Sequence, residues 1–261
     1  GSLNCQNLFV ENPSNKIQLQ NILIALPKEQ MRVELERGVL NGDTFSIRAS
    51  WENWKQAFFS NNKNISINYS AKIKQFHLDH FLNAINSKDS SNYKYSLKGS
   101  INAEKVLYEN LNFDNLQIKK LLFNEDINIE GLSASSFGGD IACDQVNIHF
   151  DNRNSTLKME GKVVNLSIPK TMLAFNDFNQ DLILNEHIKG TITSEFNLKL
   201  IMDEKGNLDF FNSSIYSQNK FKNISLLNYP FLKDIVSYFQ SSIITRNIVD
   251  ISYYDNKIHT V

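Results

Sequence analysis

The amino-acid sequence predicts a mainly β protein built on a long, twisted and largely antiparallel sheet. The first observation is a period-two alternation of apolar and polar residues, which is typical of strands with one apolar face. The second is that the polar positions are mostly Lys, Asn, Ser and Glu, as in antiparallel strands that keep one face in water. The third is that no long helical segments alternate with these strands, which argues against a doubly wound α/β fold.

Six stretches carry the alternation in chain order. Their apolar positions are Ile65, Ile67, Tyr69, Ala71 and Ile73; Tyr93, Tyr95, Leu97, Gly99 and Ile101; Ile127 and Ile129; Val146, Ile148 and Phe150; Leu157, Met159, Gly161 and Val163; and Ile188, Gly190, Ile192, Phe196, Leu198 and Leu200. Turn-forming residues at 40–43, 137–140, 151–154 and 204–207 separate strands.

Short helices are expected to interrupt the sheet around residues 49–58, 76–85, 166–175 and 231–239, where the spacing changes from two towards that of a helix. Pro169 and Pro230 suit the first turn of such helices, because the missing N–H has no partner there. Near the end of the chain, the pattern predicts a strand up to Tyr253, a turn at 254–257, and a further strand beginning at Ile258.

The composition excludes several functional classes. The chain has 261 residues, with 27 Lys+Arg against 28 Asp+Glu and a formal net charge of -1. It therefore lacks the basic balance of a dedicated nucleic-acid binder, and we expect no nucleic-acid partner. With 41% hydrophobic and 21% charged residues the chain is too apolar for disorder. Its densest apolar run, residues 22–26, is far shorter than the roughly 20 residues that span a bilayer.

We expect a non-enzymatic protein without catalytic residues, metal or cofactor. The sequence contains no nucleophile elbow, phosphate-binding loop or dinucleotide fingerprint. The His77-Leu78-Asp79-His80 run has no further ligands at metal-binding spacing, so we interpret it as a polar strand–helix junction with Asp79 as helix cap. His149, His187 and His259 stand at polar positions of strands, where a solvated imidazole is expected.

Several features leave alternatives open. Gly1-Ser2 has the form of a cloning remnant, and residues 3–261 are expected to form one elongated β segment. Cys5 and Cys143 either form one long-range disulfide or remain two small apolar side chains. Trp51 and Trp54 suit the packing of a short helix onto the sheet, and a carbohydrate-stacking role is the minor alternative.

Four short motifs lie between residue 131 and the end of the chain. They are the glycine turn Gly138-Gly139-Asp140-Ile141, the strand-to-helix stretch at 163–169, the His-Ile-Lys-Gly-Thr-Ile stretch at 187–192, and the Leu-Leu-Asn-Tyr-Pro-Phe-Leu stretch at 226–232. Together they make residues 131–261 resemble the C-terminal region of AsmA-like proteins, a Gram-negative envelope family with TamB-type members. The preceding half is compatible in pattern alone.

This resemblance implies a sheet curled into an open apolar groove, a half-pipe. It also implies a location in the periplasm, with anchoring at the inner membrane through an N-terminal segment outside this sequence. The implied function is the handling or transport of phospholipid between the inner and outer membranes, in outer-membrane biogenesis. Phospholipid or another acyl-chain lipid is the implied partner.

The apolar parity of the strands supplies the candidate lipid-groove residues. They are Ile65, Ile67, Tyr69, Ile73, Tyr95, Leu97, Ile101, Ile129, Ile148, Met159, Val163, Ile188, Ile192, Phe196 and Leu198. The few short helices are too small to cover so many strands, so the sheet either closes on itself or curls around a ligand. The alternative is a closed β-sandwich or barrel with a dry core, acting as a structural or adhesive surface module without ligand.

Overall fold

Each strand of this chain pairs with the next strand along the sequence, and together the strands form one sheet. The computed structural model describes residues 1–11, 16–27, 30–59, 64–78, 94–151, 154–203, 207–227 and 250–260. Within them, thirteen strands form a single sheet whose spatial order is the order of the chain. The prediction of a mainly β, largely antiparallel sheet curled into an open groove with a few short helices is confirmed.

The strands are long, between 10 and 16 residues. Their bounds are β1 Ser2–Glu11, β2 Lys16–Ala25, β3 Gln30–Leu40, β4 Asp43–Glu52, β5 Asn64–His77, β6 Lys94–Tyr108, β7 Leu111–Phe123, β8 Ile127–Ser136, β9 Gly139–Phe150, β10 Asn154–Ser167, β11 Ile188–Asp203, β12 Ser214–Leu226 and β13 Asp250–Thr260.

Adjacent strands are antiparallel with one exception. The strands β5 and β6 are parallel, with Ile65 beside Tyr95 and Ala71 beside Ile101. The strands β1 and β13 are the two edges of the sheet and do not pair with each other. The alternative expectation of a closed sandwich or barrel is therefore wrong, because the described strands form one open sheet.

Asparagine residues in the left-handed region mark irregular positions within the strands. Asn21, Asn115, Asn165 and Asn223 have φ between 54° and 56° and lie within β2, β7, β10 and β12. The pairing register shifts beside three of them, for example between Val163 and Leu166. Such bulges bend a strand and increase its twist, so they contribute to the curl of the sheet. Asparagine is suited to these sites because it tolerates positive φ better than other non-glycine residues.

Two short α-helices follow strands within the described residues. Helix α1 spans Trp54–Phe59 and helix α2 spans Ile168–Ala174, with a proline in its first turn as predicted. After α2 come a turn at Asn176–Asn179, whose four residues have positive φ, and a 3₁₀ turn at Asn185–His187. The helix expected at 231–239 lies outside the described residues, as does most of the one expected at 76–85, whose first two residues belong to β5.

The turn predicted at 254–257 is wrong, because β13 continues through these residues to Thr260. Asp255, Asn256 and Lys257 have low strand propensity, but each is opposite a residue of β12 in regular register. Pairing with a neighbouring strand commonly overrides such a local preference. The new strand expected at Ile258 is therefore the second half of β13.

Candidate functional site

One face of the sheet carries an unbroken row of apolar residues that crosses the strands. Residues that lie opposite each other in adjacent strands share a face of the sheet, and each member of the row lies opposite the next. From β1 to β12 its members are Leu3, Ile24, Val33, Ala49, Tyr69, Gly99, Leu121, Ile129, Val146, Met159, Leu198 and Ile215. Thr260 of β13 ends the row. At about 4.8 Å per strand, this central row is about 58 Å long measured along the sheet.

Two further rows flank the central row on the same face. The first runs from β1 to β11 through Cys5, Ile22, Leu35, Ile47, Ala71, Ile101, Ile118, Leu132, Cys143, Gly161 and Phe196. The second runs from β3 to β11 through Met31, Trp51, Ile67, Leu97, Phe123, Ile127, Ile148, Leu157 and Leu200. None of the three rows contains a charged residue, and we call this surface the apolar face.

The opposite surface is polar along equivalent rows. One of them runs from β3 to β12 through Arg32, Ser50, Asn68, Lys98, Leu122, Asn128, Asn147, Lys158, Lys199 and Ser214. The sheet thus has one face suited to water and one face suited to an apolar ligand or covering layer, as predicted from the alternation.

All fifteen predicted groove residues lie on the apolar face, and none of them is buried. Fourteen are half-buried, and Tyr95 is 43% exposed. Fully buried apolar side chains do occur on this face, and within the three rows all of them except Val146 belong to the first flanking row, for example Leu35, Ile118 and Cys143. A dry core would bury most of its large side chains. The described part of the chain therefore leaves much of the apolar face accessible.

Aromatic rings occupy the space above two of the glycines on this face. A Cβ atom on Gly38 would overlap the ring of Phe45, and one on Gly99 would overlap both the ring and the carbonyl oxygen of Tyr69. Each ring lies over its own cross-strand partner. The glycines therefore permit close packing within the sheet, and at Gly99 the space is not left for a ligand. Burial raises the pKa of the Tyr69 phenol, as expected for a hydroxyl on an apolar surface.

The apolar face becomes more polar towards β12. Ser194, Ser217 and Asn219 occupy positions on this face, and Ser194 and Asn219 are buried. The Asn219 side-chain amide donates a hydrogen bond of 3.1 Å to the Ser217 hydroxyl. This satisfies part of the hydrogen-bonding capacity that burial would otherwise make costly.

The charged group most deeply buried on the apolar side is Asp43, at the margin where β3 turns into β4. It is 1% exposed. Its carboxylate accepts a hydrogen bond of 2.9 Å from the backbone N–H of His77, and its other oxygen lies 2.6 Å from His77 Nδ1. This pair ties the β3–β4 turn to the end of β5. His77 thus lies at a polar junction as predicted, while Asp79 and His80 lie outside the described residues.

Of the other histidines, His149 is exposed to solvent and His187 is buried. His149 is exposed as predicted, with Nδ1 lying 2.7 Å from Asp126 Oδ1. The prediction for His187 is wrong, because it is 9% exposed in the 3₁₀ turn before β11 and its Nδ1 accepts a hydrogen bond from the Leu184 N–H. The β11 alternation starts one residue later, at Ile188. The side chain of His259 lies outside the described residues.

Both cysteines are free thiols. Cys5 and Cys143 belong to the same flanking row but to β1 and β9, eight strands apart. Burial, followed by the charge of the adjacent Asp144, raises the pKa of the Cys143 thiol. Cys143 therefore behaves as a small apolar residue of the sheet, the second of the two alternatives considered.

The two tryptophans lie together at one end of β4. Trp51 belongs to the second flanking row, and Trp54 is the first residue of α1. Both are half-buried. This placement agrees with packing of the short helix at the margin of the sheet.

Sequence reasoning missed the contribution of β1 to β4, β7 and β12 to the apolar face. In β2, Ile17 and Leu19 alternate regularly, but the apolar parity changes to Ile22 and Ile24 across Asn21, which has a positive φ. An asparagine at the point where the parity changes is the feature that would have revealed this strand.

Comparisons with known proteins identify no family for this chain. No protein-family model, curated protein or solved structure matches it. Among the described residues, no group of three or more His, Cys, Asp and Glu side chains is placed to hold a metal ion. The helices of this part of the chain are too short or too polar to cross a membrane.

Proposed function

We propose that the apolar face binds the acyl chains of phospholipid or a similar lipid. The observation that carries this proposal is the central row, which crosses twelve strands with apolar residues and remains largely uncovered in the described structure. The three rows lie side by side and run along the length of the groove. Acyl chains laid along them would contact apolar side chains throughout.

The energetics of such binding require no charged site. Each buried CH₂ group contributes about 0.8 kcal/mol, so a few methylene groups already provide substantial affinity. The chemical demand on the protein is an extended apolar surface, and headgroups can remain in water at the open side. A surface of this kind distinguishes acyl chains from polar molecules but not one headgroup from another.

We further propose that the chain is part of an AsmA-like protein of the periplasm, anchored at the inner membrane and moving phospholipid between the two membranes. The open curled sheet and the motifs after residue 131 support this proposal. It involves no enzymatic step and no cofactor. The proposal assigns the chain a share in outer-membrane biogenesis.

A matched pair of substitutions in β11 tests the lipid-binding proposal. Leu198 lies in the central row, opposite Met159 and Ile215, while its neighbour Asn197 is exposed on the polar face. We expect Leu198→Asp to weaken binding of a fluorescent phospholipid at least about tenfold, because a carboxylate desolvated by acyl chains costs several kcal/mol. Asn197→Asp adds the same side chain on the other face and should bind like the wild type.

Fluorescence titration measures the binding, and circular dichroism verifies that both variants are folded. Equal binding by the two folded variants would show that lipid does not lie along this part of the central row.

A further inference from the structure

The loop between β11 and β12 displays two phenylalanines to solvent. Phe210 is 76% exposed and Phe211 is 99% exposed. Among the large apolar side chains of the described residues, these have the greatest exposure. We call this pair the Phe210–Phe211 tip.

The tip is held by a defined set of hydrogen bonds. The Asp209 carboxylate accepts hydrogen bonds from the backbone N–H groups of Phe211 and Asn212, at 3.1 and 3.2 Å. It also accepts a 2.7 Å hydrogen bond from the Asn212 side chain, which is the main reason that the pKa of Asp209 is lowered. The Asp209 N–H donates to the Ile201 carbonyl oxygen at 2.8 Å. The turn is therefore fixed to the end of β11, with both rings projecting.

The tip is continuous with the apolar face. Leu208 forms an isolated bridge with Met202, near the end of β11. Ile215, the β12 member of the central row, is the second residue of that strand and is 43% exposed. Apolar surface therefore extends from the central row to the margin of the sheet and onto the loop.

We propose that the Phe210–Phe211 tip inserts into the interfacial region of a zwitterionic lipid bilayer and holds this margin of the apolar face against the membrane. Two phenylalanines offer about 150–250 Å² each. Even together they supply well below the roughly 800 Å² that each partner contributes to a stable protein interface. Shallow insertion of apolar side chains into a bilayer needs no such area. The inference extends the proposed lipid-binding function, but it has a separate readout.

The charge of the loop indicates which membrane surface fits. The loop sequence, residues 204–213, contains Glu204, Lys205 and Asp209, a net charge of -1. Attraction to anionic lipids therefore contributes little, and insertion depends on the apolar rings. Binding should accordingly be insensitive to salt, unlike that of a basic surface.

A second exposed apolar patch provides the matched control. It lies at the opposite ends of β10 and β11, where Phe178 is 60% and Leu182 is 69% exposed. The ring of Phe178 stacks on Phe175 at 5.7 Å, and the segment also carries Asp177 and Asp181. The length of β11, about 50 Å, separates the two patches along the strand, so one bilayer surface would not contact both.

The test measures partition of the full chain onto phosphatidylcholine vesicles by flotation. We expect the double variant Phe210→Ser/Phe211→Ser to lose at least about tenfold in partition, the order expected from one buried Phe side chain. The control Phe178→Ser/Leu182→Ser should stay within about twofold of the wild type. Adding 0.5 M NaCl should change wild-type partition by less than about twofold.

Loading of a fluorescent phospholipid is measured on the same proteins, so that failure of the tip and failure of the groove are distinguishable. Normal loading with lost partition assigns the membrane contact to the tip. The proposal is overturned if the wild type does not float, if the tip variant floats equally well, or if salt abolishes flotation. Self-association that the tip variant abolishes, without flotation of the wild type, would also overturn it.

Discussion

Two glycines show how single residues shape the apolar face. Gly38 and Gly99 lie under the rings of Phe45 and Tyr69, their partners in the neighbouring strands. The rings close the gaps that missing side chains would leave, a device that also stabilises glycines within designed sheets. Binary patterning alone would predict empty space at these positions, because it contains no information on the direction of neighbouring rings.

The two glycines are predicted to respond differently to the same substitution. Gly38→Ala should lower the free energy of unfolding by about 1–3 kcal/mol through overpacking, and Phe45→Leu in the same protein should recover most of it. Gly99→Ala should be equally destabilising but not recovered by Tyr69→Leu, because the added Cβ also overlaps the Tyr69 carbonyl oxygen. Denaturant unfolding of single and double variants measures the coupling. Equal recovery at both sites would contradict this account.

At the scale of the strand, the left-handed asparagines decide which residues face the groove. A bulge adds one residue to a strand and returns the apolar side chains to the same face after a change of parity. In β10, Val163 and Leu166 are both on the apolar face although they are three residues apart. This is the physical reason that simple alternation overlooked β2, whose parity changes at Asn21, and β7, whose register shifts beside Asn115.

Asn165 provides a direct test of this role. Its φ is 56°, and its backbone N–H donates a 3.1 Å hydrogen bond to the Thr193 hydroxyl. Asn165→Val should cost about 1–2 kcal/mol, because a side chain is unfavourable in the left-handed region and most so when β-branched. Asn165→Gly should stay within about 0.5 kcal/mol of the wild type, since glycine adopts positive φ without steric cost.

The control is Asn197→Val, at an exposed strand position without positive φ, where valine should be neutral or slightly stabilising. Thermal unfolding measures all three variants. If Asn165→Val is as well tolerated as Asn197→Val, the left-handed bulge is not a requirement of β10.

At the scale of the whole molecule, the strands follow one another in the sheet in the order of the sequence, so each strand pairs with the strands before and after it. Alternation is a local pattern, and it correctly predicted strands with one apolar face. It could not determine whether a second layer covers that face, since a dry core and an open groove require the same alternation. That none of the fifteen predicted residues is buried is therefore information that the structure alone provides.

We expect a sheet of this kind to bind an acyl chain through many small contacts along its continuous apolar surface, and not through a few residues at one point. No one side chain of the central row is expected to be indispensable, whereas a charge placed anywhere along it interrupts the apolar surface. For this reason the sequence predicted which residues of each recognised strand lie on the apolar face, but it did not predict that this face extends over twelve strands.

Mass spectrometry of organic extracts from the chain, purified without detergent, shows directly whether the apolar face holds lipid. A soluble β-rich protein prepared in the same way serves as the control. We expect phospholipid at about one molecule or more per chain, and none above background in the control. A folded chain that yields no lipid and also takes up no fluorescent phospholipid would contradict the proposal that its apolar face is a lipid-binding groove.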